Sequence, residues 1–156
     1  MASGPDILFY HLEQQPLERV LPQLVEKSLE RGWTAIVQAG SEERLEAVDA
    51  VLWTFREDSF VPHAREGVAG VAAARQPVLL TLNEGNANGA KIRFLVDGAT
   101  LGSFEGLAYE RIVLIFDGSD PAQLQQARAD WKRAKAAGLA ATYWQQSANG
   151  RWEKKA

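Results

Sequence analysis

The first third of the chain alternates apolar runs with an amphipathic helical pattern, and this alternation restricts the fold more than any other sequence feature. Residues 7–12 form a short apolar run that predicts a buried strand. Pro16 opens a segment whose apolar side chains recur at helical spacing, and Gly32 ends it. A second strand is predicted over 33–38, and Ser41 can cap the next helix. The β-α-β-α order predicts an α/β fold with parallel pairing and right-handed crossovers.

Three further apolar runs predict the other strands of the sheet. They cover residues 77–82, 92–96 and 112–116, and the last, the most apolar, is predicted to be central. The link 83–91 is too short for a helical crossover, so the strands on either side of it either pair antiparallel or are not neighbours. Residues 64–75, rich in Ala, Gly and Arg, predict a mobile loop.

The last long helix is predicted over 122–137, with Pro121 at its start and Gly138 at its end. Residues 139–144 predict a final strand. The polar tail 145–156 either packs on the sheet or stays mobile. With 156 residues the whole chain suits one domain.

Composition excludes several classes of function. The chain has no cysteine and two histidines, so thiolate chemistry is excluded and no metal or other cofactor is expected. The net charge of −3 argues against a dedicated nucleic-acid binder. The N-terminal residues do not resemble a signal peptide, and no apolar stretch reaches membrane-spanning length, so we expect a cytoplasmic protein without membrane contact.

The positions where an α/β enzyme would carry its nucleotide-binding or catalytic motifs contain no such motif. The first strand-to-helix junction, residues 11–16, contains no glycine, and the chain has no Walker loop. Residues 84–89 are rich in glycine but join two strands, which favours a turn over a phosphate cradle. His63 has no evident nucleophile or orienting partner, and His11 is more typical of a hydrogen-bonded core or rim residue. We therefore expect no catalytic site.

The last helix carries the pattern most suggestive of binding. Arg128, Lys132 and Lys135 share one helical face, Trp131 lies beside them, and Arg133 adds charge nearby. One interpretation is a solvated basic face with an ordinary core tryptophan. The other is a pocket whose cations bind carboxylates and whose ring binds an apolar side chain.

Two aromatic residues from another segment extend the second interpretation. Trp53 lies at the end of the second helix and Phe60 follows it. If that segment abuts the last helix, Trp53 and Phe60 form the apolar part of the pocket.

At this point the motifs resemble a known family, the chi subunit of bacterial DNA polymerase III, which is a clamp-loader accessory protein. The resemblance runs nearly end to end. It rests on Phe9-Tyr10, Leu52-Trp53, Ser59-Phe60-Val61-Pro62-His63 and Ala127-Arg128-x-x-Trp131-Lys132 followed by Gly138.

The resemblance implies a three-layer αβα Rossmann-like sandwich with a mostly parallel sheet and no nucleotide-binding loop. It implies a non-catalytic subunit of the polymerase III holoenzyme, in the cytoplasm at the replisome. This subunit binds the acidic, Phe-ended C-terminal tail of single-stranded-DNA-binding protein (SSB), and reaches DNA only through SSB. The matching tail-binding positions are Trp53, Phe60, Arg128, Trp131 and Lys132, to which helical spacing adds Lys135. A clamp-loader psi subunit is a further implied partner where one exists.

Two alternatives stay open from the residues alone. The first is a Rossmann-like nucleotide-binding protein or enzyme whose site carries no recognised motif. The second is direct DNA binding through the basic helix, against which the acidic overall charge counts.

Overall fold

The computed structural model describes residues 4–13, 15–54, 62–68 and 70–156. Strands and helices alternate along most of this chain, as the apolar pattern predicts. Their order is β1 (Asp6–Leu12), α1 (Leu17–Glu30), β2 (Ala35–Ala39), α2 (Glu42–Thr54), β3 (Ala64–Arg65), a 3₁₀ turn (Ala73–Arg75), β4 (Val78–Thr81), β5 (Ile92–Val96), β6 (Arg111–Asp117), α3 (Pro121–Ala136), β7 (Ala141–Gln146) and β8 (Trp152–Lys154).

The strands form one sheet in the order β3-β4-β2-β5-β6-β1-β7-β8. All neighbours are parallel except β7 and β8, which are antiparallel. β4 and β5 lie on the two sides of β2, which confirms that they are not neighbours. β6 lies inside the sheet between β5 and β1, which confirms the central position predicted from its apolar sequence.

Helices cover both faces of this sheet, so the predicted αβα arrangement is confirmed. Alternate side chains of β1 divide the core: Leu8 and Leu12 belong to the cluster under α1 and α2, whereas Ile7 and Phe9 belong to the cluster under α3. We call the two sides the α1/α2 face and the α3 face. The division places α2 and α3 on opposite sides of the sheet.

The interval 64–75 was wrongly predicted to be a loop throughout. Ala64–Arg65 forms the edge strand β3, which pairs in parallel with β4, and the amide of Glu66 donates to the carbonyl of Leu80 at 2.8 Å. Residues 73–75 form the 3₁₀ turn. The edge of β4 supplies the hydrogen bonds that make Ala64–Arg65 a strand. The local sequence does not indicate such a distant partner.

The polar tail packs on the sheet, which is the first of the two alternatives. β8 pairs with β7 at three positions, Trp144 with Lys154, Gln145 with Glu153 and Gln146 with Trp152. The Trp152 ring also stacks on Tyr10, with ring centroids 4.7 Å apart. These aromatic and backbone contacts hold a segment whose composition is mostly polar.

A buried arginine holds the glycine-rich link between β4 and β5. Arg93 is fully buried in β5, and its guanidinium donates to the carbonyls of Asn83 (2.5 Å) and Gly85 (2.8 Å). It also donates to Gln38 Oε1 and to the Tyr109 hydroxyl. The link is therefore a turn held in place by hydrogen bonds from Arg93.

Candidate functional site

Helix α3 begins and ends at strong local signals. Asp120 is its N-cap, because its carboxylate accepts from the amides of Ala122 (2.9 Å) and Gln123 (3.3 Å), and Pro121 follows at the first turn. Gly138, with φ of +76°, ends it in the left-handed conformation. Between these ends, the apolar residues Ala127 and Ala134 are buried against the sheet, and Trp131 packs beside them.

Trp131 is anchored in the core yet half-exposed. Its ring meets Phe9 edge-on at 5.3 Å and Tyr143 at 6.1 Å, and the ammonium of Lys135 lies 4.9 Å from its centroid. A ring held in this way presents its outer part to solvent at little cost in conformational entropy. Trp131 is thus a core residue that also contributes to the surface, and the binding interpretation stays a prediction.

Three cations lie on the surface of α3 within about one helical turn of Trp131. Arg128, Lys132 and Lys135 are exposed, and within the described residues none of them pairs with a carboxylate. Burial raises the pKa of the Tyr143 hydroxyl, and the positive charge of Arg128 opposes that rise. Arg128 therefore lies close to the aromatic residues. We call Arg128, Trp131, Lys132 and Lys135 the α3 site.

Arg133 does not belong to the α3 site, contrary to the prediction that it adds charge nearby. Its guanidinium donates to Asp130 Oδ1 (2.9 Å) and to the carbonyl of Leu101 (2.5 Å), and it lies over the Phe104 ring. Asp130 is 1% exposed and also accepts from Thr100. Arg133 thus ties α3 to the loop after β5, on the other side of the helix.

Sequence reasoning missed His11 and Tyr143 as parts of the site. His11 Nδ1 lies 2.6 Å from the Tyr143 hydroxyl, and His11 Nε2 lies 3.2 Å from Glu13 Oε1. The imidazole packs against Gly118 so closely that a Cβ there would overlap it. These contacts place the Tyr143 ring beside Trp131. The alternation of β7 was the available signal, because Ala141 and Tyr143 must share a face.

The structure does not bring Trp53 to the α3 site. Trp53 lies at the end of α2, on the α1/α2 face, with 54% of its surface exposed and its ring against His63 at 4.8 Å. His63 is bonded to Asp49 through Nε2 at 2.9 Å, which supports its structural interpretation. The position of Phe60 lies outside the described residues.

A crevice of about 690 Å³ opens at the carboxyl ends of β1 and β6. The connections from these two strands leave toward opposite faces, which makes this the point where Rossmann-like folds bind nucleotides. Its lining includes the carboxylates of Glu13, Glu18, Asp97, Asp117 and Asp120. Arg44, the cation among the described lining residues, is paired with Asp97 at 2.9 Å. Nucleotide phosphates would meet this negative charge, which counts against the nucleotide-binding alternative.

Fold and site together define a class: a Rossmann-like αβα protein with an acidic strand-end crevice and a basic, aromatic surface on its last helix. The particular family follows from comparison with family models. The model described as DNA polymerase III chi subunit, HolC, matches residues 5–142, and the chain belongs to that family, an accessory subunit of the replicative polymerase. Among curated proteins, none matches the chain.

The family match ends inside β7. The rest of that strand and β8, which together carry Tyr143, Trp144 and Trp152, are outside the matched residues. No helix in the described ranges is both long and apolar enough to cross a membrane.

Proposed function

We propose that the α3 site binds the acidic C-terminal tail of SSB and so links SSB-coated DNA to the polymerase III clamp loader. The observation that carries the proposal is the set of three cations without carboxylate partners around a rigid, half-exposed tryptophan. Cations left unpaired on a stable helix are available for the carboxylates of a ligand.

The chemistry of each residue fits a part of such a tail. The planar guanidinium of Arg128 can donate two parallel hydrogen bonds to one carboxylate, which an ammonium cannot. Lys132 and Lys135 are flexible point charges that accommodate further Asp side chains. Trp131 and Tyr143 offer ring edges against which a terminal Phe packs.

The proposed tail site excludes Trp53, because the sheet separates it from Arg128. Phe60 is not assigned to either side. Because the α3 site and Trp53 lie on opposite faces of the sheet, a tail bound on the α3 face leaves the α1/α2 face open to a second partner. We propose that a clamp-loader protein such as psi binds elsewhere than on α3, so that one subunit holds both partners at once.

Calorimetric titration with an SSB tail peptide tests the site. Arg128→Ala is expected to weaken binding at least about tenfold, since hydrogen bonds to charged groups contribute about 1.5–3 kcal/mol. Arg19→Ala is the matched control, because it removes the same charge from an exposed position on α1, on the opposite face. Equal affinities for the Arg128 variant and the wild type would refute the assignment.

Two further titrations separate the parts of the proposal. A peptide without its terminal Phe tests the aromatic contact, and increasing salt tests the exposed charges, which are screened. Thermal shift with ATP or NAD tests the nucleotide alternative, because a ligand of the native state raises its apparent stability. A robust shift with either nucleotide would favour that alternative over a binding subunit.

A further inference from the structure

Part of the α1/α2 face carries aromatic rings on strands other than those on which the helices mainly pack. α1 packs on β2 and β6, and α2 packs on β2 and β4. Beyond them, β1, β7 and β8 present Tyr10, Trp144 and Trp152, all half-buried. We call these three residues the aromatic platform.

The sheet register arranges the platform as a cross-strand row. Tyr10 lies opposite Trp144, and Trp144 lies opposite Lys154. The Tyr10 ring is stacked on Trp152 at 4.7 Å and meets Trp144 edge-on at 6.4 Å. From β1 to β8 the row spans two strand spacings, about 10 Å. It is long enough to contact several units of an extended polymer.

Two arginines border the platform beside Trp33. Their guanidinium carbons lie 5.3 Å (Arg31) and 5.5 Å (Arg111) from the Trp33 ring centroid. Both charges act on the Tyr10 hydroxyl, since each opposes the rise in its pKa that burial causes. Arg111 is in register with Asp6, which lies four residues before Tyr10 on β1, so Arg111 and Tyr10 are on the same face of the sheet.

The guanidinium of Arg111 has neither a hydrogen-bond acceptor at Nε nor a carboxylate partner among the described residues. Its Nε is buried without a hydrogen-bond acceptor, and neither arginine pairs with a carboxylate of the described residues. Asp6 faces Arg111 in the register and is exposed, yet the two form no ion pair. Because neither guanidinium is neutralised by a carboxylate of the described residues, both charges are available to an anion from outside the chain.

We propose that this surface binds single-stranded nucleic acid, with phosphates at Arg31, Arg111 and Lys154 and bases stacked on the indoles of Trp144 and Trp152. Alternating cations and aromatic faces on an open sheet suit unpaired bases, because every base has a face that stacks. A duplex keeps its bases in its own stack and is not a ligand. An acidic peptide offers the charges but no succession of flat rings.

The proposal concerns a different surface from the α3 site and stands independently of tail binding. The overall charge of −3 argues for weak affinity, but the charges near the ligand decide whether it binds. Trp144, Trp152 and Lys154 lie beyond the residues matched by the family model, so the surface is not contained in the family match. It adds a direct DNA contact to the contact expected through SSB.

Fluorescence anisotropy of a short labelled oligodeoxythymidine tests the proposal over about 50–200 mM salt. The wild type is expected to bind at the lowest salt, and Lys154→Gln to lower the slope of log affinity against log salt by about 0.7, as for one lost phosphate contact. Arg31→Gln is expected to lower this slope by a similar amount. Trp144→Leu is expected to weaken binding at least about fivefold through lost stacking. Arg19→Gln, an exposed charge outside the platform, is the matched control.

Three results would overturn the proposal. One is no binding by the wild type at the lowest salt. Another is an equal loss in Arg128→Gln, which would place DNA on α3. The third is an acidic peptide that binds the wild type with a dependence on Arg31 and Lys154 while the oligonucleotide does not bind. Arg31→Gln and Lys154→Gln change exposed side chains, so both variants should fold. Their affinities for the oligonucleotide therefore test the proposal even if Trp144→Leu does not fold.

Discussion

Gly118, between β6 and α3, is a position where one added methyl group tests the packing beneath the α3 site. Its Cα lies against the imidazole of His11, and a Cβ would overlap the ring. His11 has little room to move, because Phe116 and Tyr143 pack on it and only 12% of its side chain is exposed. Gly118→Ala must therefore displace His11 and break its hydrogen bond to Tyr143.

The size of the effect follows from these contacts. Overpacking costs about 1–3 kcal/mol, and the lost hydrogen bond costs about 1 kcal/mol. The φ of Gly118 is not positive, so alanine also restricts the unfolded chain, which stabilises by about 0.5–1 kcal/mol. We expect Gly118→Ala to lower the free energy of unfolding by about 1–3 kcal/mol in total.

A double-mutant cycle with His11→Ala isolates the clash. Urea denaturation gives the midpoint and slope for the four proteins, and unchanged slopes allow the midpoints to be compared as stabilities. In the His11→Ala background, where the ring is absent, Gly118→Ala is expected to be neutral or slightly stabilising. The same destabilisation by Gly118→Ala in both backgrounds would refute the reasoning.

Two other perturbations test interactions away from this junction. Arg93→Leu leaves four acceptors without their donor, of which the Gln38 and Tyr109 oxygens are buried. It is expected to lower the free energy of unfolding, measured by urea denaturation, by at least about 2 kcal/mol, and Arg93→Lys is expected to recover part of the loss. Equal stability of the leucine variant and the wild type would contradict the role of this network. Hydrogen bonds from the side chain and amide of Ser119 lower the pKa of Asp117 below its ordinary value. The stability it contributes is therefore complete above about pH 4 and lost as pH falls through the lowered pKa of the folded state. Unfolding measured against pH is expected to show a shallower acid limb for Asp117→Asn, and identical limbs would speak against the effect.

Local sequence signals were sufficient to predict the helices and most of the strands. Pro121 at the start and Gly138 at the end are signals from single residues, and they predicted α3 within one residue at each end. The same holds for the basic face, because helical spacing alone places Arg128, Lys132 and Lys135 together. Elements made by a distant partner were missed: β3 exists through β4, and β8 through β7 and Tyr10.

The assembly of the site needed the tertiary structure. Spacing along the chain does not say on which side of the sheet a helix lies, since that depends on strand order and crossover direction. Trp53 and Trp131 were therefore grouped, although α2 and α3 pack on opposite faces. For the same reason the arginines beside Trp33 and the rings of Tyr10 and Trp144 were not connected until the register brought β6, β1 and β7 side by side.

The sequence by itself determined that this chain is an α/β protein whose last helix carries a basic face around a tryptophan, because periodicity and caps act over a few residues. The tertiary structure alone decided which residues join that tryptophan. It places Tyr143 and His11 beside Trp131, and it separates Trp53 and Arg133 from the α3 site. It also makes part of the polar tail the edge strand β8. The physical reason is that packing and strand pairing join residues far apart in the chain, and their contacts depend on the faces and register of the whole sheet.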